Sequence, residues 1–121
     1  MTPRELLAAA RRLLDQPAAG TAGLWPRACA MLIRQALETG VDAIWLASPG
    51  TASLARSSMR SQLTCLPAYI DPLLAGEISY IWAALSEACH YHAYELAPTA
   101  VELADWIATV DRLLARTPSV S

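Results

Sequence analysis

Apolar residues return every three to four positions along most of this chain, the period of a helix and not of a strand. Between residues 3 and 16, Leu6, Leu7, Ala10, Leu13 and Leu14 share one side, while Arg4, Arg11 and Arg12 take the other. Thr2-Pro3-Arg4-Glu5 opens this helix with a hydroxyl cap, a proline where a missing N–H costs nothing, and a Glu three residues after the cap. Pro17 and Gly20 end it. A second helix is predicted over 26–47, with Ala28, Met31, Leu32, Gln35, Leu37, Val41, Ile44 and Trp45 on a broad face. Gly40 interrupts that face and marks either a close helix approach or a break. Ser48-Pro49-Gly50 is a stop.

A third helix, 53–66, takes Thr51 or Ser53 as its cap and carries Leu54, Met59, Leu63 and Leu66. Its serines lower helix propensity because hydroxyls compete for backbone hydrogen bonds. Pro67 closes it. Asp71-Pro72 opens a fourth helix, 72–93, whose face is Leu74, Ile78, Ile81, Leu85, Ala88 and His92, bordered by Trp82 and Cys89. It frays by Tyr94, and Ala97-Pro98 breaks the chain. Thr99 and Glu102 form a second capping box for a fifth helix, 99–116, with Leu103, Ala104, Ile107, Val110 and Leu114 inside and Trp106 at the edge. No repeat or linker divides the sequence. The pattern predicts one domain over 1–121, an all-α antiparallel bundle of about five helices, with the second and fourth at its centre.

Composition narrows the classes. The chain has 121 residues, 55% hydrophobic and 17% charged, which excludes a disordered chain. There are 24 Ala and 18 Leu, no Phe and no Lys, and all nine basic residues are Arg. A net charge of −2 without a basic stripe excludes duplex DNA as an expected partner. No apolar run approaches the roughly 18 residues of a membrane span. The early acid in the N-terminal segment is unlike a secretory signal, and Cys29, Cys65 and Cys89 lack the spacing of a disulfide framework. The expected location is therefore a reducing cytoplasm. The preference for Ala and for Arg over Lys matches a bacterial, high-GC coding style. So apolar a chain leaves more apolar surface than one small bundle hides, so a homodimer is expected. Four tryptophans, Trp25, Trp45, Trp82 and Trp106, are read first as core residues and second as interface anchors.

Chemistry concentrates in Glu87-Ala88-Cys89-His90-Tyr91-His92-Ala93-Tyr94-Glu95. Glu87 and His90 form one Glu-x-x-His, but a di-iron bundle needs that pair twice with two more Glu. Cys89 and His92 have chelate spacing and would need two further ligands, from Cys29 or Cys65. No metal and no cofactor is assigned, and the cysteines read as small buried residues. His90 and His92 are the candidate catalytic groups, since imidazole moves protons near neutral pH. Ser86, four residues earlier, is within pairing distance of His90 on a helix. Arg56 and Arg60 sit four apart and, with Tyr91, Tyr94 and Glu95, are candidates for holding a partner or a phosphate, RNA included. Arg27 and Arg34 extend that basic set, or else pair with Glu38 or Asp42 as solvated faces.

Two stretches carry a resemblance. Arg27-Ala28-Cys29-Ala30-Met31-Leu32-Ile33-Arg34-Gln35-Ala36-Leu37-Glu38, and Leu85-Ser86-Glu87-Ala88-Cys89-His90 ahead of the capped last helix, resemble the HEPN superfamily of small helical bundles. The likeness spans roughly residues 24–116 and aligns His90, or alternatively His92, with the family histidine. Active HEPN ribonucleases carry an Arg, four to six residues, then His, with two sites meeting across a homodimer. Here Leu85, Ala84 and Ala83 stand at those offsets before His90, and Glu87, Ser86 and Leu85 before His92. The resemblance therefore implies a non-catalytic dimeric module that binds another protein, in a toxin–antitoxin, defence or regulatory setting. It places self-association on the fourth helix and the His segment. Two alternatives stay open. One is a ribonuclease or other phosphate-handling enzyme that pairs His90 or His92 with a remote Arg56 or Arg60. The other is a small-molecule or metal-binding bundle.

Overall fold

The computed structural model describes residues 1–16, 25–90 and 96–116. Among these residues the chain forms five α-helices and no strand: α1 Pro3–Asp15, α2 Trp25–Leu46, α3 Met59–Cys65, α4 Pro72–Cys89 and α5 Ala100–Leu114. Two 3₁₀ turns, Ala52–Arg56 and Leu66–Ala68, flank α3. The all-α bundle expected from the periodicity is what forms. α2 is its centre, packed against α1, α4 and α5, with α3 touching it more lightly.

The helix starts follow the local signals. Thr2 Oγ1 accepts the Glu5 N–H at 3.1 Å, and Asp71 Oδ2 accepts the Leu74 N–H at 3.1 Å. The full reciprocal capping box forms at α5, where Thr99 Oγ1 accepts from Glu102 N–H at 3.1 Å and Glu102 Oε1 accepts from Thr99 N–H at 3.0 Å. At α1 only the first half of the box forms.

One core joins the elements. Leu7, Ile33, Leu37, Val41, Trp45, Ile78, Leu85, Leu103, Val110 and Leu113 are fully shielded within it. Each such aliphatic side chain contributes about 2 kcal/mol by leaving water. Gly40 is a packing glycine and not a break, since a Cβ there would lie 2.7 Å from Leu114 Cδ2 on α5. Arg4 and Arg11 reach Asp111 at 3.4 and 3.8 Å, tying α1 to α5 at the surface, and Arg112 pairs with Glu77 between α5 and α4.

The structure departs from the sequence pattern in four places. The predicted helix 53–66 is two pieces, because Ser57 is extended (φ −77, ψ 165) and α3 starts only after Ser58. Ser58 Oγ caps it by accepting the Ser61 N–H at 3.2 Å. The expected cap Thr51 instead donates its hydroxyl to the Trp45 carbonyl at 2.7 Å. On α2, Ala28, Met31 and Gln35 face outward; the inner stripe is Cys29, Ala30, Ile33, Ala36, Leu37, Gly40, Val41 and Trp45. Apolar residues surround this helix, so periodicity alone does not choose its buried side. On α5, Ala104 is likewise outside, and Thr109 and Leu113 are inside. α4 stops at Cys89, four residues short of its predicted end: His90 is extended (φ −88, ψ 136), and its N–H closes the last turn on the Glu87 carbonyl at 3.1 Å.

Candidate functional site

Leu74, Ala75, Ile78, Ile81 and Leu85 press one side of α4 into the core. The opposite side carries Leu73, Gly76 and Tyr80, with Leu73 and Tyr80 about three-quarters exposed (75% and 74%). Leu96, ahead of α5, and Val101, in its first turn, are more exposed still (98% and 80%). Two cavities lie along this side. One of about 580 Å³ is lined by Leu73, Gly76, Glu77, Tyr80, Asp105, Trp106 and Thr109. The other, about 440 Å³, is lined by Arg27, Tyr80, Glu87, His90, Leu96, Thr99, Glu102 and Trp106, among others. Tyr80 and Trp106 line both, so the two adjoin in a trough along α4 and α5.

α4 is fixed against α2 by a polar bridge. Trp82 Nε1 donates to Glu38 Oε2 at 3.0 Å, and Arg34 Nε donates to the same oxygen at 3.3 Å. The Arg34 guanidinium carbon also lies 6.0 Å from the centre of the Trp82 ring, within cation–π range. Burial works against the Arg34 charge. The charge and hydrogen bond of Glu38, with help from Cys89, outweigh it and hold the guanidinium above its ordinary value. The expected i,i+4 pairing of Arg34 with Glu38 is therefore present, and Glu38 serves α4 as well.

His90 sits exposed at the end of α4 in the trough. The guanidinium lining the same cavity is that of Arg27, from α2. Arg56 and Arg60, on the 3₁₀ turn and α3, are exposed and line neither part of the trough. His92, Tyr91, Tyr94 and Glu95 lie outside the described residues. Ser86 and His90 form no pair: Ser86 Oγ is buried without a hydrogen-bond partner, because the helix ends before His90 keeps its helical register. Cys29 is a core thiol that donates to the Ala10 carbonyl at 3.4 Å, and burial pushes it up to about 11. Among the described residues, no group of three or more His, Cys, Asp and Glu is gathered to hold a metal ion.

A separate, largely apolar cavity of about 710 Å³ lies where the start of α1 meets the end of α2, lined by Met1, Pro3, Thr39, Asp42, Ala43 and Leu46 among others. Trp45, Trp106, Trp25 and Trp82 all pack in or against the core and none is an exposed anchor. One residue of consequence carried no sequence signal, Gln62 inside the core; Arg27 belongs to the expected basic set, but its place beside His90 is not encoded by local spacing. Compared with known proteins, the chain matches no family model, no curated sequence and no solved structure. No described helix is long and apolar enough to cross a membrane.

Proposed function

We propose that the chain is a non-catalytic, HEPN-like interaction module: a cytoplasmic homodimer that binds another protein, in a toxin–antitoxin, defence or regulatory setting. The observation that carries this reading is the apolar side of α4, where Leu73 and Tyr80 stand in water, with exposed Leu96 lining the same cavity as Tyr80. Side chains of this size left unburied around a trough belong to surfaces that associate. The cavity bordered by Met1 and Leu46 is a second apolar surface, apart from the side of α4. The test is light scattering at tens of micromolar with capture of partners by the tagged chain. A dimer that takes Tyr80-dependent partners supports the reading, and a monomer without any overturns it.

A second reading, a phosphate-handling enzyme, draws on Arg27 and His90 lining one cavity. It is separated from the first by RNA cleavage. The module leaves single-stranded RNA intact. Cleavage lost in both Arg27→Ala and His90→Ala, with helicity unchanged, replaces the module by the enzyme.

A further inference from the structure

We infer that the trough between α4 and α5 receives an amphipathic helix of another protein, with a narrow apolar stripe flanked by Arg or Lys. The inference rests on the interaction-module reading and names the occupant of its surface. Three observations converge. The first is shape: two adjoining cavities along two helices, both lined by Tyr80 and Trp106, with exposed Leu73 in one and exposed Leu96 in the other. Apolar side chains spaced by three and four residues fit such a trough.

The second is Gly76. It lies in the interior of α4, where glycine weakens a helix. A Cβ at Gly76 would meet nothing within 4 Å among the described residues, so no internal contact requires it, in contrast to Gly40. It leaves bare backbone in the lining of the trough, on the same side of α4 as Leu73 and Tyr80, where another helix is able to approach closely.

The third is charge. The trough is bordered by the carboxylates of Glu77, Glu87, Glu102 and Asp105, against the guanidiniums of Arg27 and of Arg112, which is held on Glu77. An acidic rim selects a basic partner and speeds its encounter. The same rim opposes two copies meeting trough to trough, since like charges would face each other, and it repels the phosphates of RNA.

The test is selection from a display library of helical peptides whose apolar stripe is fixed and whose flanking positions are random. The expected winners carry Arg or Lys at the flanks. They bind wild type more weakly as salt rises from about 50 to about 300 mM. They bind Gly76→Leu and Tyr80→Asp about tenfold or more weakly, a difference of about 1.4 kcal/mol. A Cβ at Gly76 meets nothing within 4 Å, so Gly76→Leu is expected to fold with at least wild-type helicity, which isolates binding from folding. Winners with acidic or neutral flanks, or undiminished binding to Gly76→Leu, overturn the inference. If Tyr80→Asp splits a dimer into monomers and no peptide is selected, a second copy is the occupant: the inference falls and the module reading stands. If wild type is monomeric and selects nothing, both fall.

Discussion

Gly40 and Gly76 both interrupt helices, where glycine costs about 1 kcal/mol against alanine, yet their surroundings are opposite. Gly76 faces open space, so Gly76→Ala is expected to stabilise the fold by about 0.5–1 kcal/mol in urea unfolding. At Gly40 the added methyl would sit 2.7 Å from Leu114 Cδ2, and that buried leucine must shift. Gly40→Ala should therefore gain less than Gly76→Ala or lose stability; equal gains would show that glycine does not set the α2–α5 approach. Asp42 presents a different strain. Burial raises its carboxyl, the charge of Glu38 one turn away adds to the rise, and the Gln62 amide opposes it. Its Oδ1 is buried without a hydrogen-bond partner. The folded state thus holds this proton more firmly than the unfolded chain. The resulting stability is present below the unfolded value near ~3.9 and is lost as pH rises through the higher folded value. Asp42→Asn removes the charge. The variant should melt above wild type at pH 7, and the gap should narrow towards about pH 3.5. A gap that widens in acid contradicts this account.

At the scale of elements, α3 and its flanking turns are held by one buried amide. Gln62, 2% exposed, accepts from Trp45 Nε1 at 3.0 Å and donates to the carbonyls of Ser57 at 2.9 Å and Ala55 at 3.4 Å. Trp45 is also met edge-on by Tyr69, with ring centres 5.0 Å apart. Gln62→Leu fills the space but strands the indole N–H and the Ser57 carbonyl, each costing about 1–3 kcal/mol. A loss of about 2 kcal/mol or more in denaturant unfolding is expected; a neutral result would show that water takes over these groups. Gln62 also shows why this region was hard to read from sequence. Its burial depends on a tryptophan in another helix, whereas the caps at Thr2, Asp71 and Thr99 depend on residues three positions away and were legible. The same distinction holds at the candidate site. His90 at the end of α4 was visible as a helix-end residue, although the helix stops at Cys89. Arg27 reaches that cavity only through the packing of α2 on α4, which no local spacing encodes.

For the whole molecule, hydrophobic content and the bundle's small size meet in the question of self-association. The five helices bury a continuous core, and still Met1, Met31, Leu46, Leu73, Tyr80, Leu96 and Val101 remain more than half exposed. Some of that surface surrounds the acidic trough, where a basic helix fits better than a second copy. The rest includes Met1 and Leu46 at the cavity between α1 and α2. A homodimer formed through any of it couples folding to association, because a second copy binds the folded chain and not the unfolded one. Melting temperature must then depend on protein concentration. Raising the concentration from about 1 to about 100 µM should raise it by several degrees, since a hundredfold change in a binding partner corresponds to about 2.7 kcal/mol. Leu46→Glu and Tyr80→Glu, measured the same way, locate the contact: the substitution that flattens the dependence without lowering the melting temperature at 1 µM lies in it. A melting temperature that is constant across the range for wild type, with a monomer mass in light scattering, removes self-association and leaves the exposed apolar residues to heterologous partners.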